Sequence, residues 1–225
     1  MSYESLKESP NDYLVALAKG SAGMIPVVGG LVSEVIGSTI PNQRIDRMAD
    51  FLHEVGERIS ELEYKLIKDN KFYRDIFEDA MVQASRSLSN ERNRYLAQFV
   101  KNTVDLPPEN YSVQKKLLFT LQELTDLDIE FLVSVRDLGF YEARKTFQLP
   151  TPTLDELSNP NRQFLTVSLG MHILTLERLD LVKLTRAPED KEYPDSNIDS
   201  YTGLVEITEC EVSRIGSLLL DAIHI

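Results

Sequence analysis

Two short segments decide the fold class: Leu181-Val182-Lys183-Leu184-Thr185 and Leu204-Val205-Glu206-Ile207-Thr208. Each alternates aliphatic with polar residues, the period-2 pattern of a strand. Between them, residues 186–203 are polar, contain Pro188 and Pro194 and carry a net charge of -3, so they read as a long loop. Thr208 with Glu211 has the spacing of a capping box and predicts a final helix. That helix is expected to pack Val212, Ile215, Leu218, Leu219 and Ile223. Upstream, Asn159-Pro160 is a good N-cap and N1 pair. It opens a helix running to about Leu179, with Phe164, Leu165, Val167, Ile173, Leu174 and Leu176 apolar. Before it, residues 140–158 are mixed. Thr125 to Asp128 opens another helix, through Ile129, Leu132, Val133 and Val135 to a stop at Gly139. Residues 111–124 form a further helix carrying Leu117, Leu118, Leu121 and Leu124.

Nothing N-terminal to these elements has strand character. In residues 42–69 apolar residues recur as Ile45, Met48, Leu52, Val55, Ile59, Leu62 and Leu66. The period is 3.5, which favours knobs-into-holes packing. One helix of about 40 Å is expected, with Gly56 as its weak point. Ala49 and Phe51 lie off the stripe and call for further helical neighbours, so an intramolecular core fits better than a coiled-coil dimer. Residues 71–88 place Tyr73, Ile76, Phe77, Ala80, Ala84 and Leu88 on one face, and 90–104 place Tyr95, Leu96, Phe99 and Val100 together. At Asp105-Leu106-Pro107-Pro108-Glu109 the two prolines forbid a continuous helix. A boundary is expected there, between a helical domain at 1–105 and a second domain at 109–225. The fold class is mainly α: an N-terminal four- or five-helix bundle and a C-terminal α+β domain.

Residues 20–41, GSAGMIPVVGGLVSEVIGSTIP, are apolar with Glu34 as the one charge. A membrane-spanning helix needs about 20 unbroken apolar residues; here Pro26 and Gly29-Gly30 interrupt. Two readings follow. One is a buried hairpin whose glycines permit close helix packing. The other is a conditionally membrane-active segment, hidden at rest, whose Met24, Ile25, Val27, Val28, Leu31, Val32, Val35 and Ile36 engage membrane on exposure.

The 225 residues hold 24 basic and 36 acidic side chains, a net charge of -12. The imbalance is concentrated late: net -3 over 1–105 and -9 over 106–225. Such a balance argues against indiscriminate binding to nucleic acid or anionic lipid. No Lys/Arg-led secretory leader is seen, and the expected compartment is the cytoplasm, with membrane association on activation. A single cysteine excludes an intramolecular disulfide and a cysteine-based zinc cluster.

Catalytic patterns are poor. His53, His172 and His224 are scattered, no Ser sits in a G-x-S-x-G elbow, and the glycines at 20–30 are not followed by Gly-Lys-Ser/Thr. His53, Glu57 and Glu61 share a face of the long helix, which reads as a solvated face rather than a metal site, since no third strong ligand is identifiable. Cys210, placed in the first turn of the last helix beside Glu209 and Glu211, reads as structural. Arg86, Arg92 and Arg94 read as solvated charge. No enzyme, cofactor, metal or small-molecule substrate is expected.

Helix, helix, helix, strand, long loop, strand, helix is the element order of a winged-helix module. The second half resembles the C-terminal half of many winged-helix proteins, with Leu179-Asp180-Leu181-Val182 leading into the wing and Ile207-Thr208-Glu209 with Gly216 beginning the closing helix. The resemblance implies a recognition helix at 160–179. Arg162 and Arg178 there face Glu177 and Asp180, and in the wing Arg186 and Lys191 face Glu189, Asp190, Glu192, Asp195 and Asp199. Phosphates would meet a negative wing, so a protein partner or self-association is expected before nucleic acid. The whole chain is similar to the bacterial Abi-alpha proteins of the abortive-infection type. The similarity rests on Gly23-Met24-Ile25-Pro26-Val27-Val28-Gly29-Gly30, on Pro41-Asn42-Gln43-Arg44-Ile45-Asp46-Arg47 and on the C-terminal Leu-Asp-Leu-Val and Ile-Thr pair. It implies a phage-defence protein; a non-enzymatic mechanism of membrane engagement by residues 20–41 is the expectation drawn from the apolar segment itself. The alternative is a scaffold that binds protein through the winged-helix-like domain; a DNA-binding regulator ranks below both.

Overall fold

The computed structural model describes residues 42–147, 160–188, 197–199, 202 and 204–223. The apolar segment 20–41, with its eight named residues, lies outside the described residues, as does His224. The described part is mainly helical, with nine helices and one two-stranded antiparallel sheet.

The expected long helix is two. α1 is Asn42–Gly56 and α2 is Glu61–Asp69. The break has a cause in the sequence that competes with the stripe. Ser60 and Glu63 form a complete capping box: the Glu63 N–H donates to Ser60 Oγ, and the Ser60 N–H donates to the Glu63 carboxylate at 2.6 Å. Two satisfied donors, with a glycine just upstream, outweigh propagation through the heptad. Of the stripe, Met48, Val55 and Ile59 are buried. Leu62 and Leu66 are exposed, 70% and 43%, and Ile67 is buried in their place. Lys101 reaches Glu63 at 2.6 Å, and with the Ser60 bonds it overcomes the effect of burial, holding that carboxyl at about 2.

α3 (Lys71–Arg86) starts at the Asn70 cap, whose side chain accepts from the Phe72 N–H, and α4 (Asn90–Val104) starts at Ser89. Tyr73, Ile76, Phe77, Ala80, Ala84, Tyr95, Leu96, Phe99 and Val100 are all buried as the spacing predicts. Leu88 is not: α3 stops at Arg86 and leaves it 89% exposed. α1, α3 and α4 pack on one another, with the Phe51 and Phe77 rings 5.9 Å apart.

Pro107 and Pro108 interrupt the helix, with a short 3-10 turn, Pro108–Asn110, leading into α5 (Tyr111–Glu123). The division between compact units nonetheless lies later. One unit extends to Phe119 and takes in Ala222; the other is Thr120–Asp221. The first turns of α5 belong to the helical unit because they are bonded to α3. The Tyr111 hydroxyl donates to Asp75 at 2.6 Å, Lys115 pairs with Asp75 and Asp79, and Gln83 Nε2 donates to the Leu118 carbonyl at 3.0 Å.

The second unit contains α6 (Asp126–Leu138), α7 (Phe140–Phe147), α8 (Pro160–Arg178), β1 (Val182–Arg186), β2 (Ile207–Val212) and most of α9 (Arg214–Ile223). α6 has the expected capping box at Thr125 and stops at Gly139. α8 closes on a Schellman motif: the Asp180 N–H bonds to the Glu177 carbonyl and the Leu181 N–H to that of Leu176, both at 2.9 Å. Asp180 takes the left-handed position, φ 56°, and turns the chain into β1. The strands pair Val182 with Val212 and Leu184 with Cys210, with a register shift at Thr185/Arg186.

The C-terminal strand sits later than the spacing predicts, at Ile207 rather than Leu204, and runs to Val212. Thr208 and Glu211 are therefore strand residues and not a capping box. Ser213 is the cap; its Oγ accepts from the Gly216 N–H at 3.0 Å and donates to the Asp180 carbonyl. α9 buries Leu219, Leu220 and Ile223, whereas Ile215 and Leu218 are 43% and 44% exposed. Gly216 sets this face. A Cβ there would run into the Leu181 carbonyl oxygen and meet Val212 Cγ1 at 2.9 Å, so α9 lies as close to β1 as a backbone without a side chain allows.

Gly216→Ala tests that contact. In an open helix the change stabilises by about 1 kcal/mol. Here the obstacle is backbone, and a net loss of about 1–3 kcal/mol is expected, read as a lower urea midpoint of the full chain.

Candidate functional site

α8 presents three faces, set by its 100° step per residue. Leu169, Ile173 and Leu176 are buried in the core. Gly170 faces the connection between the strands, where a Cβ would run into the Thr202 carbonyl oxygen. Met171, Leu174 and Arg178 point outward, and Met171 and Leu174 are 63% and 42% exposed.

The described part of that connection is held, not loose. Ile198 bridges Val205, the Asp199 N–H donates to the Leu204 carbonyl at 2.8 Å, and the Glu206 N–H donates to that of Asn197 at 2.6 Å. Arg144 on α7 pairs with Asp199, both largely buried, and the Tyr141 hydroxyl donates to the Thr208 carbonyl at 3.2 Å. Ile198 and Val205 are left 44% and 37% exposed, next to the Gly170–Thr202 contact.

Two cations around this face are matched within the unit. Arg178 pairs with Glu123 at 2.8 Å. Arg186 forks onto Glu177, Nη1 to Oε1 at 2.6 Å and Nη2 to Oε2 at 2.5 Å, and that pairing holds the Glu177 carboxyl below its usual range against the smaller effect of burial. A forked guanidinium–carboxylate pair is planar and directional, so Arg186 is committed to Glu177.

A second cluster lies on the inner side of α8. His172 Nδ1 is 2.7 Å from Asp128 Oδ1, and His172 Nε2 is 3.2 Å from Ser168 Oγ. Asp128 is buried, and its Oδ2 accepts from the Thr125 N–H at 2.6 Å and the Thr125 hydroxyl at 2.7 Å. A carboxylate only accepts, so Nδ1 carries the proton in this contact. Burial pushes the Asp128 carboxyl upward, but the bonds from His172 and Thr125 prevail and hold it below the ordinary carboxylate range. The order Ser, His, Asp is that of a nucleophile relay. Its surroundings are not. Ser168 lies inside α8, where backbone N–H groups are spent on the helix ladder, so the backbone offers no pair of donors to a developing oxyanion. The cluster anchors α8 to α6.

Comparison with known proteins gives no match to a protein family, a curated protein or a solved structure. The site reading therefore rests on geometry. Among the described residues no group of three His, Cys, Asp or Glu side chains could hold a metal ion, and no helix is long and apolar enough to cross a membrane. His53, Glu57 and Glu61 do not share a helix, because α1 ends at Gly56 and α2 begins at Glu61. Arg94 pairs with Glu91 at 3.1 Å and Glu54 at 3.6 Å. Cys210 lies in β2 rather than in a helical first turn; burial, then Glu177 and Glu211, push its thiol up to about 12. The His172 cluster was missed in the sequence. Its signal was Ser168 and His172 at i and i+4, with a capping Asp whose second oxygen is spare.

Asp128→Asn is expected to destabilise the chain by about 1–3 kcal/mol at neutral pH, the cost of losing a buried charged acceptor. Because the folded state lowers the Asp128 carboxyl, its contribution is complete above the unfolded value near 4 and fades as pH falls through the folded value. Urea midpoints of parent and variant should draw together as pH falls below about 4.

Proposed function

We propose that this chain is a protein-interaction module of the bacterial abortive-infection type, whose C-terminal helix–hairpin unit recognises a protein partner. The observation that carries this reading is the outward face of α8. In a winged-helix arrangement that position meets the DNA backbone and groove and needs free Lys or Arg. Here Met171 and Leu174 stand exposed, and Arg178 and Arg186 are occupied by Glu123 and Glu177. Exposed apolar side chains rimmed by polar ones mark protein contacts.

The apolar segment 20–41 supplies a second element, an effector step. In this reading residues 20–41 are withheld at rest and partner engagement releases them, so that Met24, Ile25, Val27, Val28, Leu31, Val32, Val35 and Ile36 reach membrane. Protonation or pairing of Glu34 would lower the insertion cost. No chemical step on a substrate is part of the proposal.

Two measurements separate the alternatives. Fluorescence anisotropy with duplex DNA should show no salt-dependent binding; tight binding whose affinity falls with salt and drops in Arg178→Ala would point to a regulator and sink the interaction reading. Liposome flotation with dye release tests the effector step, wild type beside Val32→Asp. Leakage by the wild type that the folded variant loses is the expected result. A chain that never floats or leaks removes the membrane step and leaves a soluble scaffold.

A further inference from the structure

Leu62 and Leu66 stand one turn apart on α2, 70% and 43% exposed. The box that starts this helix sets which side turns outward. Glu63 is held by Ser60 and Lys101, and Ile67 is buried, so residues 62, 65, 66 and 69 face solvent together. At 70% exposure Leu62 stands on a ridge rather than in a groove.

Cations border this pair at positions the helix fixes. Lys65 lies three residues on from Leu62 and next to Leu66, and Lys68 follows one turn later; both are exposed. Arg74, in the first turn of α3, donates to the Lys68 carbonyl, which brings its guanidinium to the C-terminal end of α2. Lys71 lies in the same turn, exposed, with Nζ 5.0 Å from the centre of the Phe72 ring. Among the described residues none of these four cations pairs with a carboxylate, whereas Arg58, Arg94, Lys101 and Lys115 of the same unit all do. The acids of the stretch are partly engaged: Glu63 by Lys101 and Asp75 by Lys115. Glu61 and Asp69 stay exposed, so the local balance is positive.

We infer that α2, with the first turn of α3, docks on an anionic membrane surface, Leu62 and Leu66 entering the headgroup layer and Lys65, Lys68, Lys71 and Arg74 meeting lipid phosphates. This contact uses neither residues 20–41 nor the α8 face. The anchor is two side chains on a ridge, far short of the roughly 1,000 Å² that a stable protein contact buries. A fluid bilayer needs no complementary surface and takes each leucine separately. Protein interfaces are depleted in Lys, and three of the four cations are Lys, whose stems lie along an apolar layer while the ammonium stays at headgroup level. A second copy would bring the same excess of cations against the first.

The net charge of -12 does not decide the matter. Residues 42–119 hold thirteen basic and thirteen acidic side chains, and at physiological salt exposed charges act over about 8 Å. The pattern beside the leucines therefore governs, and it makes binding reversible and salt-dependent.

The test is flotation of the full chain with vesicles of phosphatidylcholine, alone or mixed with phosphatidylglycerol, over a salt series. The chain is expected to float with the mixed vesicles only, and to come off as salt rises. Leu62→Ser with Leu66→Ser should weaken partition at least about tenfold, while Ile215→Ser with Leu218→Ser, an exposed apolar pair on α9, should change it little. Lys65→Glu with Lys68→Glu should abolish flotation. Arg44→Glu with Arg86→Glu makes the same change of charge at exposed positions and should leave most of it. Val32→Asp should keep flotation, which separates this contact from the effector step. Circular dichroism checks that each variant folds.

Equal loss in both charge variants, or no loss in the Leu62/Leu66 variant, means a diffuse electrostatic attraction and overturns the inference. Equal flotation with phosphatidylcholine alone overturns the anionic surface. Flotation lost in Val32→Asp and kept in the Leu62/Leu66 variant moves the lipid contact to residues 20–41, overturning the inference and leaving the effector step intact. A chain that does not float, but binds a helical peptide of Leu and Glu through Leu62 and Leu66, assigns the face to an acidic protein segment and overturns the lipid. No flotation and no peptide binding overturns the inference, and dye release still decides the effector step.

Discussion

Asp128 has two carboxylate oxygens, and the C-terminal unit uses both. One closes the cap of α6 on Thr125, and the other holds His172 on α8. A buried carboxylate is costly unless its acceptor sites are filled, so the start of α6 and the middle of α8 are fixed relative to each other. From α8 the rest follows. Its Schellman closure at Asp180 aims β1, the Asp180 carbonyl receives Ser213, and Ser213 caps α9. Gly170 on the same helix seats the strand connection. One side of α8 is committed to the core and one to the connection, which leaves the Met171–Leu174 side exposed.

Much of this order is legible in the sequence, and the departures share a physical origin. Hydrophobic periodicity located the helices well where it stood alone: α3 and α4 bury the residues their spacing selects, except Leu88 beyond the end of α3. It failed where a local polar signal competed. At Ser60–Glu63 a capping box inside an apparently continuous heptad ended one helix and began another, turning Leu62 and Leu66 to solvent. The converse error occurred at Thr208–Glu211, where a box-like spacing lies within a strand. Cross-strand pairing of Leu184 with Cys210 supplies that stretch with a ladder, and the backbone N–H groups a cap would satisfy are already bonded. A capping box is decisive only where the chain has no better donor–acceptor account to settle.

The surface was harder to read than the core. Counting charges along 160–203 gave the right sign but could not say that Arg178 and Arg186 find Glu123 and Glu177, partners separated from them by 55 and 9 residues. Those pairs engage two of the cations that the count leaves unassigned. The His172–Asp128 contact, 44 residues apart, was out of reach for the same reason. Long-range polar pairs depend on which helix faces meet, and periodicity fixes a face without fixing its neighbour. Leu218 and Ile215 show the complementary limit. Their spacing suits a buried stripe, but the close approach at Gly216 rotates the packed side of α9 onto Leu219, Leu220 and Ile223.

Cys210 carries a consequence of its own. It is the chain's one thiol, buried in β2 with two carboxylates adding to the cost of ionising it. Disulfide exchange and peroxide oxidation both run through the thiolate, and at physiological pH this site supplies almost none. The folded state therefore disfavours disulfide exchange at Cys210 and crosslinking of two copies through it.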